Sequence, residues 1–243
     1  MILTDAQDAQ GHGMYDYWKG ISSSEIVERD DGYIEASGYR SIYFAEYTDW
    51  WLCEKEAISY AQKRVLDIGC GAGRVLLYLK RQGIDALGID NSPMAIKTCR
   101  ERGLENAQLV PITKVNKALG AFDTIIMYGN NFGLFSNYRR ARTLLRRFHR
   151  MTTADGRIIA ETLDPYQTNL PEHLEYHRRN KERGRMGGQV RIRVRYRKYK
   201  TPYFDYLFVS RDEMRDLLAG TGWDVKRFID CEGPVYLAII EKE

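Results

Sequence analysis

The string Val65-Leu66-Asp67-Ile68-Gly69-Cys70-Gly71-Ala72-Gly73-Arg74 constrains this chain more than any other stretch. A short apolar run ends in a glycine-rich turn, and RVLLYLKRQG (74–83) has the spacing of a helix closed by Gly83. A buried strand that feeds a helix this way needs backbone with positive φ, open to close approach by a ligand. Turns of this kind lie at the carboxyl edge of open α/β sheets, where ligands bind. The alternation continues downstream, with strands expected at DALGID (85–90), AQLVPI (107–112), FDTIIMYG (122–129) and GRIIAETL (156–163). Helices fall between them: Ser92-Pro93 caps MAIKTCRERG, and NYRRARTLLRRFHRMT (137–152) follows the fourth strand. Strands and helices taking turns predict a parallel sheet wrapped on both faces.

The flanks read differently. The chain to about residue 40 is rich in Tyr, Ser, Gly and Asp and reads as irregular with a short helix, a cover over the body; residues 46–61 have helical spacing. QVRIRVRYRKY (189–199) alternates strictly, with Lys200-Thr201-Pro202 as a turn and YFDYLFVS (203–210) as the returning strand of an inserted antiparallel hairpin. A Ser210…Glu213 capping box then opens a helix, followed by strands near 223–230 and 235–242. The expected organisation is a cover over residues 1–60 and a main domain over 61–243, with the insertion at about 165–209.

A chain of 243 residues buries a full core without disulfides or a structural metal. Its four cysteines form no C-x-x-C pair, so reduced thiols and no zinc are expected. The opening MILTDAQDAQGHGMYDYW lacks the basic start and apolar run of a signal peptide, and no stretch approaches a membrane span; a cytoplasmic location is the expectation. His173 and His177 do not make H-E-x-x-H and read as a solvated pair, with His149 also at the surface. Residues 1–60 carry four basic and twelve acidic side chains, while 178–200 carry eleven basic and one. Three readings of the basic stretch stand: docking on the acidic N-terminal part or a solvated edge, an anionic small substrate, or nucleic acid.

The glycine spacing is G-x-G-x-G, not the G-x-G-x-x-G of nicotinamide sites, and no P-loop is present. Asp90 ends the next strand, placed to accept hydrogen bonds from a ribose diol. The whole register over 64–163 and 211–242 resembles the class I S-adenosylmethionine-dependent methyltransferases. The resemblance implies a Rossmann-like α/β fold, with a seven-stranded, mostly parallel sheet whose last strand is antiparallel. It implies S-adenosylmethionine as cofactor. Asp67, Gly69, Cys70, Gly71, Gly73 and Arg74 then stand at the methionine moiety, Asp90 and Asn91 at the ribose and adenine edge, and Ile112 and Thr113 at the adenine. Tyr128, Gly129 and Asn130 follow the fourth strand, where in the family the cofactor's methionine end meets the substrate. Tyr17 and Trp18 as a lid, Asn131 and Phe132 after that strand, and Tyr196 and Tyr203 of the hairpin are the candidate acceptor contacts. The absence of N/D-P-P-Y argues against methylation of exocyclic base or glutamine amide nitrogens. A small-molecule acceptor is expected; an RNA or protein methyltransferase and a catalytically silent cofactor-binding module are the alternatives.

Overall fold

The glycine-bounded apolar runs become strands. A computed structural model describes residues 1–21, 24–37 and 40–243. In chain order the elements are α1 (Ala9–Trp18), β1 (Glu25–Arg29), β2 (Ile34–Ser37), α2 (Leu52–Ile58), β3 (Val65–Ile68), α3 (Arg74–Arg81), β4 (Ala86–Asp90), α4 (Pro93–Glu101) and β5 (Ala107–Leu109). Then follow β6 (Phe122–Met127), α5 (Tyr138–Met151), β7 (Thr152–Leu163), α6 (Pro171–Glu182), β8 (Gln189–Tyr196), β9 (Tyr199–Lys200), β10 (Phe204–Leu207), α7 (Arg211–Leu218), β11 (Trp223–Asp230) and β12 (Val235–Lys242). The seven-stranded sheet has the order β11-β12-β7-β6-β3-β4-β5, and a second, antiparallel sheet joins β10, β8, β1 and β2, with β9 on β8. No helix among the described residues is long and apolar enough to cross a membrane.

The chain divides into two compact units. The first comprises Met1–Trp50, Val65–Val115 and Arg191–Phe204. In it β3, β4 and β5 run parallel, in register Val65↔Ala86 and Gly88↔Ala107. Every residue of β3 is buried, as expected of a strand covered on both faces. The N-terminal segment adds more than a helix, because β1 pairs antiparallel with both β2 and β8. Glu28, opposite Arg193, accepts hydrogen bonds from Arg193 at 2.6 Å, Tyr203 at 2.8 Å and Arg195 at 3.1 Å. Arg193 and then Tyr203 hold the Glu28 carboxyl down at about 2. Arg197 pairs with Asp16 at 2.9 Å. Of the three readings of the basic hairpin, docking on the acidic N-terminal part is therefore what these arginines do. The hairpin turn also falls earlier than the sequence indicates. Tyr196 pairs with Tyr199, and Arg197 adopts φ 49° in the two-residue connection. No Gly or Asn marks that left-handed position, so turn chemistry could not locate it.

The second unit comprises Trp51–Arg64, Asn116–Val190 and Asp205–Glu243. Here β6 and β7 run parallel, β12 runs antiparallel to β7 from Val235↔Leu163 to Glu241↔Arg157, and β11 runs antiparallel to β12. Helix α5 buries Ala141, Leu144, Leu145, Phe148 and Met151, one face at helical spacing, and leaves its arginines outside. Its N-cap is Asn137, whose side chain accepts the Arg140 N–H at 2.9 Å. The large core rings satisfy their polar atoms: Trp223 Nε1 donates to the Leu145 carbonyl at 2.9 Å and Tyr236 OH to that of Val209 at 2.8 Å.

Two expectations are corrected in this unit. Cys53 and Cys231 form a disulfide with Cα atoms 5.4 Å apart; Cys70 and Cys99 are the free, buried thiols. Sequence spacing cannot see such a pair, because the fold alone brings residues 178 apart together. His177 is not solvated: it lies buried on α6, edge-on to the Tyr166 ring at 5.4 Å. His149 is half-buried against Trp223, and that burial lowers its pKa.

Candidate cofactor and acceptor site

Three glycines in positive-φ backbone make the turn after β3: Gly69 at 73°, Gly71 at 52° and Gly73 at 81°. Space excludes a side chain at Gly73 as firmly as φ does, since a Cβ there would lie 2.4 Å from Leu104 Cδ1. Above Gly71, a Cβ would meet Met14 of α1 at 3.5 Å and Tyr43 at 4.0 Å, so the N-terminal segment roofs this turn.

Asp67 sits within β3, 2% exposed, and its Oδ2 is buried with no hydrogen-bond partner. Burial, reinforced by the Asp90 charge and opposed by Arg74, pushes its carboxyl up to about 7. A native structure rarely leaves a buried carboxylate oxygen unmatched, and this one lies in the strand that ends at the glycine turn. Asp90, at the end of β4, accepts the Gly71 N–H at 3.0 Å and the Ser92 N–H at 2.9 Å. Burial raises its pKa against those bonds. Each carboxylate oxygen keeps a further lone pair for a hydroxyl donor.

Cys70 is buried, and its thiol pKa is raised by the hydrogen bond to Cys99 and by burial. The Arg74 guanidinium lies over the Trp50 ring, 4.8 Å from its centroid. Asn91 donates to the Met1 carbonyl at 3.3 Å and accepts the Leu3 N–H at 3.1 Å, so the first residues of the chain lie along it. Ile112 and Thr113 open a short 3-10 turn after β5, both half-buried.

The expected acceptor residues of the first unit hold structural contacts. The ring of Tyr17 packs at 5.0 Å from Phe44 and that of Trp18 stacks at 6.2 Å, with Arg102 over Trp18 and Phe44. Tyr196 OH donates to Asp16 at 2.6 Å and Tyr203 OH to Glu28 at 2.8 Å. Both hydroxyls thus tie the hairpin to the N-terminal segment. Sequence reasoning missed Asp8, fully buried, whose carboxylate accepts Gly11 N–H at 3.1 Å, Ser92 Oγ–H at 2.8 Å and Met94 N–H at 2.9 Å. One side chain caps α1 and pins it to the start of α4, immediately after Asp90.

In the second unit, the loop after β6 is held by a residue that sequence reasoning also missed. Glu161 of β7, 4% exposed, accepts the N–H groups of both Gly129 and Asn130 at 3.0 Å. A lone acid in the apolar run RIIAETL was the available signal. Asn130 takes φ 61°, and its carbonyl accepts from Tyr206 OH at 2.7 Å. Its side-chain Oδ1 is buried without a partner, a second unmatched acceptor. Tyr128 OH donates to the Glu54 carbonyl at 2.9 Å. Asn131 begins a 3-10 turn, and Phe132 is wholly in the core against Phe135, with ring centroids 4.9 Å apart. Tyr206 lies so close over Gly133 that a Cβ there would be 2.0 Å from its Cε1. Gly133→Ala is therefore expected to lower stability by about 1–3 kcal/mol through overpacking. Thermal unfolding reads the loss, and pairing it with Tyr206→Ala should recover part of it; an unchanged melting temperature would contradict the contact.

Residues 65–156 match the family model of a methyltransferase domain. Among curated proteins, the chain is similar to ribosomal RNA small subunit methyltransferase C of Pasteurella multocida, 30% identical over 126 residues. That match takes in 47% of this chain and only 37% of the relative, so the chain spans little more than a third of the relative's length. Among solved structures, an S-adenosylmethionine-dependent methyltransferase of Bacteroides fragilis, crystallised with S-adenosyl-L-homocysteine, superposes with a TM-score of 0.83 at 21% identity. The alignment covers 100% of this chain and 98% of that one. The CcbJ methyltransferase of Streptomyces caelestis superposes at 0.59 with 12% identity, covering 75% and 90%. Residues 65–156 thus carry a methyltransferase-domain match, and the fold of the chain is that of these solved S-adenosylmethionine-dependent methyltransferases.

Proposed function

We propose that this chain transfers a methyl group from S-adenosylmethionine to a nitrogen, oxygen or sulfur atom of a small molecule. The observation that carries the cofactor assignment is Asp67, a buried carboxylate with an unmatched oxygen beside three positive-φ glycines. The ammonium of the cofactor's methionine end fits that acceptor, and its ribose hydroxyls fit Asp90. When bound, the sulfonium supplies an already activated methyl group, so the protein's task is to align, exclude water and match charge. Asp67 orients, Asp90 anchors, and the α1 roof with Met14 and Tyr43 shields the glycine turn. A roofed turn favours a small acceptor over a polymer. The arginine face that an RNA acceptor would use is tied to Glu28 and Asp16, which weighs in the same direction.

Calorimetry with S-adenosyl-L-homocysteine and NAD side by side tests the cofactor. Micromolar binding of the former alone is expected. Asp90→Ala should weaken it by about 1–3 kcal/mol, the range for losing charged hydrogen bonds. Preference for NAD would overturn the reading, and unchanged affinity of the variant would place the ribose elsewhere.

A further inference from the structure

In the second unit, the start of α5 and the turn after α6 border an open cleft of about 440 Å³, lined by Tyr138, Arg139, Arg185, Met186 and Gln189 among others. That volume is within the range of small-ligand pockets. Several arginines of α5 and α6 are engaged elsewhere. Arg178 and Arg179 pair with Glu175, Arg178 also with Glu182, and Arg142 donates to the carbonyls of Asp216, Leu217 and Ala219 at the end of α7. Arg139 and Arg185 are different. Neither guanidinium has an ion-pair or hydrogen-bond partner among the described residues, and Arg185 is half-buried. Two cations left unmatched on one cleft repel each other, and one of them has lost part of its hydration. An anion bound at the cleft would supply an acceptor to both.

The cleft also has an aromatic wall. Tyr138 is 45% exposed, and the Arg142 guanidinium lies over its ring at 5.6 Å from the centroid. An exposed ring beside two guanidinium groups suits a planar group that carries negative charge. The place is equally telling. Helix α5 follows β6, so its start lies past the carboxyl end of a parallel strand. That edge is where open α/β sheets bind ligands.

We propose that this cleft is an anion site that binds a planar small molecule bearing a carboxylate or a phosphate. This anion site is independent of the methyl-transfer reading above. Benzoate, phenyl phosphate and phenol are the probes, titrated into the full chain without cofactor and followed by the amide NMR signals of Gly184 and Arg185. Either anion should bind about tenfold more tightly than phenol, the value of one charge-assisted contact. The preferred anion tells a carboxylate ligand from a phosphorylated one. R139Q/R185Q should lose that margin, while R178Q keeps it and S-adenosyl-L-homocysteine affinity stays within about twofold in all variants. Equal binding of the three probes, or anion binding that survives R139Q/R185Q, would overturn the site. A single-stranded oligouridylate that binds more tightly than both arenes and depends on the same two arginines would overturn the small-molecule assignment. If the homocysteine product fails to bind the wild-type chain, the methyl-transfer reading falls while the arene titrations still score the anion site.

Discussion

Reducing the Cys53–Cys231 disulfide is expected to lower the unfolding free energy by about 5 kcal/mol. The bond closes a loop across a separation of 178 residues, and the denatured chain regains that conformational freedom when the bond opens. With a urea slope of roughly 2.5 kcal/mol per molar, the midpoint should fall by about 2 M. The reduced wild type and C53S/C231S should then unfold together. Identical midpoints for oxidised and reduced wild type would show that the two thiols are not bonded in solution. The effect should also reach the loop after β6. Cys53 lies in the first turn of α2, and the next residue, Glu54, provides the carbonyl that accepts the Tyr128 hydroxyl. Hydrogen exchange at Gly129 and Asn130 should quicken on reduction if α2 anchors this loop through that bond.

What was legible in the sequence follows a physical rule. The glycine turn and Asp90 could be read because local backbone demands leave few residue types to choose from: positive φ at Gly71 and Gly73, and an acid at a strand end. The parallel core could be read because strands covered on both faces are apolar runs bounded by turns. Features that depend on distant partners were illegible. β1 holds only Ile26 and Val27 as apolar residues, and becomes a strand because β2 and β8 flank it. Local pattern carries little information about such a strand. The disulfide failed for the same reason, and so did Asp8, whose role exists only once Ser92 and Met94 are beside it. Glu161 is an intermediate case. Its charge in an apolar strand marks a buried partner, yet nothing local says that the partner is the backbone of Gly129 and Asn130. The basic hairpin shows the limit of charge counting, since its arginines answer acids from the far end of the same chain.

Asp67 is expected to make the unliganded protein less stable as pH rises from about 4 to about 7, and the cofactor to reverse this. The carboxyl titrates at 3.8 when free and at about 7 in the fold, with burial as the main cause. Between those values the folded chain keeps a proton that the unfolded chain has released. The stabilisation is therefore complete below the unfolded value and is lost as pH climbs through the folded one. The gap corresponds to on the order of 4 kcal/mol. Asp90 is raised in the same direction, so the comparison that isolates Asp67 is wild type against Asp67→Asn. The variant should show a flatter stability profile and exceed the wild type above about pH 7. It should nevertheless bind S-adenosyl-L-homocysteine about 10- to 100-fold more weakly, because an amide offers no charge to the ligand's ammonium. In the wild type that ammonium favours the carboxylate, so binding near pH 6 should expel close to one proton, by about the same linkage. Calorimetry in buffers of different ionisation enthalpy measures that proton directly, and it should vanish in Asp67→Asn. A proton release of the same size in the variant would assign the titration to another group. A stability profile unchanged by Asp67→Asn would mean that this carboxyl is already ionised in the unliganded fold.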